Sequence, residues 1–325
     1  MTLGAFVSPG RSLERTLERV ELADRLGFSA IFTTHIASYD SLTVLMAYAA
    51  RSRHARLGTG VLPIYSRTPV ACAQQAVTVD AFSGGRLVLG LGVSHAPIVE
   101  GWYGQKIDRP VGDMRQYAGV VRAILRGEEP PTSDRFPTSF RFAGVDPRPE
   151  VPIYLAALSP RMLRLAGEIA DGVVLWLCVP EYVASTVVPE IRAGAERAGR
   201  DPQSIAIVAA VPAAVTDDRE AAAERLRNDL IPYFSLPFYR AMLERSGFGD
   251  ELAAFDRALS DGGPAKAAAA ISDRFVGALA AIGSAEEARA VVARYAQAGA
   301  TLPCVGPIPG TEFTSTLEAL APNRR

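Results

Sequence analysis

Arg86-Leu87-Val88-Leu89-Gly90-Leu91-Gly92-Val93 is the stretch whose reading decides the fold. After the arginine every position is apolar or glycine, with no polar alternation. The run therefore reads as a strand buried on both faces, the habit of parallel sheets covered by helices. Working outward, similar short runs lie upstream at Leu3–Val7, Ala30–Thr33 and Arg56–Ile64, and downstream at Pro152–Leu158, Gly172–Leu177, Ile205–Val211 and Leu302–Val305. Amphipathic stretches separate them. Ser12 caps a helix whose apolar residues Leu13, Leu17, Val20, Ala23 and Leu26 recur at helical spacing until Gly27 stops it. Further helices are predicted over Ser41–Ala50, Pro69–Phe82, Met114–Leu125, Pro160–Ala170, Pro180–Ala198, Glu286–Ala298 and Glu312–Leu320. Eight strands alternating with helices predict an α/β protein, a single (β/α)8 TIM barrel over 1–325, rather than an open doubly wound sheet. Insertions follow strand four and strand seven. The first holds a loop (His95–Val111) and an inserted hairpin or excursion (Glu128–Val151); the second is a long helical region from Arg219 to about Ile282.

Composition narrows the function. The chain has 325 residues, 49% hydrophobic and 21% charged, with a formal net charge of −1. No block of like charge offers a footprint for nucleic acid or a membrane surface. The Ala-rich stretch Pro264–Ile282 is interrupted by Lys266, Asp273 and Arg274, which argues against a lipid span. The start, Met1-Thr2-Leu3-Gly4, lacks the charged and apolar regions of a signal peptide, so a cytoplasmic protein is expected. Cys72, Cys178 and Cys304 match no metal or redox spacing and read as small core residues.

A barrel carries its chemistry at the C-terminal ends of its strands. Two of the three histidines, His35 and His95, fall there, and imidazole suits proton transfer near neutral pH. His54 lies at the opposite end and reads as a surface residue. No pair of carboxylates suits a glycosidase, no ligand cluster suits a metal, and no strand-end lysine suits a Schiff base. A rim so poor in charge and rich in Gly and Ala fits a site whose reactive part is a bound cofactor. Ala156-Ala157-Leu158-Ser159-Pro160 ends a strand and opens a helix, an arrangement that serves either as plain capping or as an anion site.

Three segments together resemble the luciferase-like monooxygenase superfamily: Leu57-Gly58-Thr59-Gly60-Val61-Leu62, Gly85–Gly92, and Pro152–Pro160 continuing through Ala166–Val174. Within it the chain is most similar to the branch that uses coenzyme F-420, an 8-hydroxy-5-deazaflavin. The resemblance implies a bulge with a non-prolyl cis peptide at Gly60–Val61 backing the cofactor ring, where a glycine lets the ring approach the backbone. Pro63, Gly92, Val93 and Ser94 would border the ring, and Ala156, Ala157, Leu158, Ser159 and Pro160 would hold the phosphate. His35 matches the histidine beside the redox carbon, and His95 stands where a Glu is often found. Tyr65, Trp102 and Trp176, with Pro63, would shape an apolar substrate pocket. The resemblance also implies a homodimer packed through outer helices.

Departures bear on the reaction. Related dehydrogenases commonly show Asp-His after strand two, whereas this chain has Thr34-His35; Leu158-Ser159 replaces a pair of glycines. The reading that follows is an F-420-dependent oxidoreductase acting on a small organic molecule. Its alternatives are an FMN-dependent monooxygenase using reduced flavin and oxygen, a non-catalytic flavin-binding protein, and a metal-free lyase or isomerase.

Overall fold

The computed structural model describes residues 1–322. The first half runs β1 (Gly4–Phe6), α1 (Leu13–Arg25), β2 (Ala30–Thr33), α2 (Ser41–Arg51), β3 (Arg56–Thr59), β4 (Leu62–Pro63), α3 (Pro69–Ser83) and β5 (Leu87–Gly92). After α4 (Ala96–Tyr103) and α5 (Pro110–Leu125) come β6 (Ile153–Ala156), α6 (Pro160–Ile169) and β7 (Gly172–Leu175). Then α7 (Pro180–Tyr182) passes through a π-helical turn into α8 (Val188–Arg197), followed by β8 (Ala206–Val215). The second insertion holds α9 (Arg219–Phe234), α10 (Pro237–Arg245), α11 (Gly249–Ala269, broken at Gly262 and Gly263) and α12 (Asp273–Leu279). The chain ends with β9 (Ala281–Gly283), α13 (Ala285–Gln297), β10 (Leu302–Pro307) and α14 (Phe313–Leu320).

All the strands pair in parallel, in the order β10-β1-β2-β3-β5-β6-β7-β8. Pairing of β8 back onto β10, from Leu302 opposite Val208 to Pro307 opposite Ala213, closes the cylinder. This is the expected (β/α)8 barrel, and closure excludes the doubly wound sheet. Four details differ from the sequence reading. Strand three is split into β3 and β4. The His95–Val111 loop contains α4. Glu128–Val151 contains no strand, so it is an irregular excursion and not a hairpin. The region read as helical up to Ile282 ends in the short strand β9, which pairs with the overhang of β8 at Ala213–Val215.

The larger apolar layer lies between strands and helices, while a smaller cluster of Ala30, Phe32, Val88, Tyr154, Val174, Val208 and Cys304 fills the barrel interior. Glycines make room for the large rings inside. A Cβ on Gly58 would meet Phe32 at 2.4 Å, and one on Gly172 would meet Tyr154 at 2.9 Å. Interiors close-packed to this degree leave no space for an added methyl.

The end of the barrel away from the strand C-termini is pinned by polar groups. Asp24 accepts the amides of Arg53, His54 and Ala55 (2.7–3.0 Å). Arg86 donates to Ala49, Ser52 and Ala55 carbonyls, covering the C-terminal carbonyls of α2. Asp171 accepts from the Ile153 amide and from Arg122, both at 2.8 Å.

Candidate functional site

The rim is assembled from strand ends, beginning with His35, two residues past β2. Asp40 caps α2 by accepting from the Thr43 amide at 2.9 Å. The next amide, Ser41 N–H, donates to His35 Nδ1 at 3.2 Å, with the Ser41 hydroxyl 3.0 Å away. A ring nitrogen that accepts an amide proton carries none itself, so the proton of neutral His35 sits on Nε2. That nitrogen makes no hydrogen bond to any described residue. Burial chiefly, then the nearby Arg67 guanidinium, lowers the His35 pKa against the smaller opposing pull of Asp40. Arg67 is itself held by Asp40 and Gln75. His35 is thus a neutral hydrogen-bond donor with a fixed tautomer. Asp40, Ser41 and Arg67 were not singled out from the sequence; the Asp-Ser pair five and six residues after the histidine was the signal available.

The floor lies where β3 gives way to β4. The Gly60–Val61 peptide is cis, at the position the resemblance implied. Thr59 replaces the interrupted ladder with its side chain, which donates to Gly90 O at 2.7 Å and accepts the Gly90 amide at 2.8 Å. Val61 folds over β5, so a Cβ on Gly92 would lie 2.5 Å from Val61 Cγ2. The Cβ side of Gly60 is filled by the protein's own Phe6, whose ring would be 2.5 Å from an added Cβ. Pro63 is buried and pairs with Gly92.

Val93, Ser94 and His95 follow the end of β5 at Gly92. Ser94 has φ +59°, a left-handed conformation uncommon without glycine, and His95 stands at the N-cap position of α4 without a side-chain capping bond. Burial lowers the His95 pKa, and its enclosed Nδ1 has no hydrogen-bond partner. Trp176, just past β7, has an enclosed indole nitrogen next to the Tyr233 side chain, and Leu177 after it has φ +62°. The other two aromatic residues expected at the pocket are placed differently. Tyr65 is buried with its hydroxyl donating to Asp113 at 2.8 Å, which commits it to structure. Trp102 is largely exposed on α4, against Tyr103. In their place the second insertion supplies Tyr233, Phe238 and Tyr239, whose rings meet Trp176 and His95. The aromatic run Pro232-Tyr233-Phe234 and Pro237-Phe238-Tyr239 was the missed signal.

At the end of β6, Ala156 and the buried Ala157 lead to Leu158, whose carbonyl accepts from Tyr182 at 2.7 Å. Ser159 caps α6 by accepting from Met162 N, and Pro160 occupies the first helical position. Capping is therefore real. The first-turn amides that Ser159 does not use, with Arg161 beside them, suit an anionic group. A neutral donor at His35, small residues at the strand ends and a helix N-terminus fit a flat cofactor with a phosphate-bearing tail. Among the described residues no group of His, Cys, Asp and Glu is placed to hold a metal ion, and no helix is long and apolar enough to cross a membrane.

Comparison with known proteins places this geometry. The family model for luciferase-like monooxygenase matches residues 1–302. A Mycobacterium tuberculosis protein provisionally named a coenzyme F-420-dependent oxidoreductase is 32% identical over 309 residues, covering 88% of each chain. The 5,10-methylenetetrahydromethanopterin reductase of Methanolobus tindarius is 30% identical over 250 residues, covering 76% of this chain and 75% of that one. The coenzyme F-420-dependent tetrahydromethanopterin reductase structure from Methanopyrus kandleri superposes with a TM-score of 0.82 at 22% identity, covering 98% of this chain and 97% of that one. With its barrel closed and the family model matched over nearly its whole length, this chain belongs to the luciferase-like monooxygenase family.

Proposed function

We propose that the chain is an oxidoreductase that moves a hydride between coenzyme F-420 and a carbon of a small organic substrate. The observation that carries this reading is His35, a neutral imidazole with its Nδ1 occupied by the Ser41 amide and its Nε2–H uncommitted. When bound, the deazaflavin supplies or accepts the hydride. The chain's own residues do the rest. His35 donates a hydrogen bond to the substrate oxygen whose charge changes as the carbon is reduced or oxidised. The Ser41 amide keeps the donor on the correct nitrogen, and burial, with the Arg67 guanidinium adding to it, keeps the imidazole from becoming a cation. The wall of Gly92, Val93 and Ser94 orients the flat cofactor, and α6 receives its phosphate at Ala157–Pro160. The name of the Mycobacterium tuberculosis relative supports the choice of coenzyme.

Titration of the purified chain with F-420 and, separately, with FMN tests this. Saturable quenching of deazaflavin fluorescence is expected, together with hydride exchange to a carbonyl or alcohol. Tight binding of FMN with none of F-420 would replace it with the oxygen-activating monooxygenase reading.

A further inference from the structure

A groove on the outside of the barrel takes no part in the rim. It lies between α5 and α6, is bounded by Pro131 and Ser133 of the excursion, and has a volume of about 510 Å³, the size of a small-ligand site. The excursion is held against α5 by Gln116, whose Oε1 accepts from the Ser133 hydroxyl at 2.5 Å and from the Arg135 amide at 3.3 Å. On α5 the groove is lined by Arg115, Gly119, Arg122 and Arg126, spaced i, i+4, i+7 and i+11, which is one stripe of the helix.

Packing within the chain leaves two features of this stripe unexplained. Gly119 sits inside a helix, where glycine is less stable than alanine. An added Cβ would nevertheless meet nothing closer than Pro131 Cγ at 3.9 Å, so the protein does not need this gap for itself. The second feature is charge. Four guanidinium groups, of Arg115, Arg122, Arg126 and Arg200, line the groove against two carboxylates, Glu168 and Asp171. Arg200 is spent on the Gly167 and Ala170 carbonyls, both at 2.7 Å. Arg115 pairs with Glu168, and Arg122 with Asp171 and the Ile169 carbonyl, each through Nη2 alone, so Nε and Nη1 of both remain as donors. Arg126 has no side-chain partner among the described residues. The C-terminus of α5 favours cations at 122 and 126, but it accounts neither for the gap nor for the donors left over.

A phosphate answers such donors, because its oxygens accept forked pairs from arginine, and guanidinium planes also stack on rings. Gly119 and Arg126 are about 10 Å apart along the helix, the length of a mononucleotide. We propose that the α5–α6 groove is a second binding site, taking a phosphate monoester with a flat ring: its phosphate on Arg122 and Arg126, its ring in the gap between Gly119 and Pro131. The site is separate from the hydride-transfer reading and stands or falls without it.

Calorimetric titration of the full chain with AMP, adenosine and inorganic phosphate tests the groove. AMP is expected to bind, and adenosine and phosphate each at least about tenfold more weakly, since each lacks one half of the contacts. Arg126→Ala should lose about tenfold in AMP affinity, and Gly119→Leu, whose side chain occupies the gap, should abolish binding. Thermal melts no lower than the parent's show that both losses are local; should Gly119→Leu melt lower, Arg126→Ala decides. Saturating F-420 should leave AMP affinity unchanged. Failure of AMP to bind, equal affinity for adenosine or for phosphate, or full affinity in Arg126→Ala would each overturn the site. Displacement of AMP by F-420 would place the nucleotide on the rim and overturn it as well.

Discussion

His35 and His95 are both neutral in the folded chain, but for different reasons. Burial acts on both, with Arg67 adding to it only at His35. Their folded pKa values lie below the ordinary 6.5, so between the folded value and 6.5 the unfolded chain binds more protons than the folded one. Stability from these groups is therefore fully present above 6.5 and is lost as pH falls through the folded values. Urea unfolding midpoints should be flat above pH of about 7.5 and decline toward pH of about 5, less steeply in a His35→Gln, His95→Gln double variant. An unchanged slope in that variant would assign the acid sensitivity elsewhere. Kinetically, His35→Phe should lower kcat by about a hundredfold, as loss of one positioned donor does, while F-420 still quenches with the same affinity. Loss of coenzyme binding instead would make His35 a cofactor contact.

At the scale of elements, two glycines have opposite meanings, Gly90 in a strand and Gly101 in a helix. Gly90 in β5 faces the break between β3 and β4, and an added Cβ would lie 2.0 Å from the Thr59 carbonyl oxygen, a backbone atom that cannot swing aside. Gly90→Ala should cost about 1–3 kcal/mol or more, read as a lowered denaturation midpoint. Gly101, inside α4, has nothing within 4 Å of its missing Cβ. There the same change removes a helix penalty, and Gly101→Ala should stabilise by about 0.5–1 kcal/mol. If both substitutions moved stability the same way, the split of strand three would not be held by close packing. The element reading also explains what periodicity missed. Ala281-Ile282-Gly283 is too short to show a strand pattern and pairs only because β8 overhangs the barrel.

The whole molecule divides its polar groups by end. At the strand N-termini Asp24 and Arg86 are spent on backbone amides and carbonyls; at the strand C-termini His35 Nε2 and His95 Nδ1 are not. Such a division is expected of a barrel, where one face serves stability and the other chemistry. Asp24→Ala should cost about 1–3 kcal/mol by leaving three amides of the turn before β3 without their acceptor. It should leave F-420 affinity unchanged, a pairing checked by unfolding and quenching on the same sample. A loss of coenzyme affinity at full stability would show that the two ends are coupled through the barrel.

The sequence by itself determined the barrel, because strands buried on both faces must be apolar throughout and their helices must show a period of 3.6. It also determined which loops make the rim, and so placed His35, His95 and Trp176 there. Tertiary structure alone decided their chemistry. The proton of His35 is fixed by an amide that exists as a free donor only once α2 has formed. The Cβ side of Gly60 belongs to Phe6, and the hydroxyl of Tyr65 belongs to Asp113, neither of which is near in sequence. The second insertion joins position 95 to 239 and position 176 to 233, contacts no local pattern encodes. Periodicity reports which face of an element is buried, but only closure of the chain reports against what.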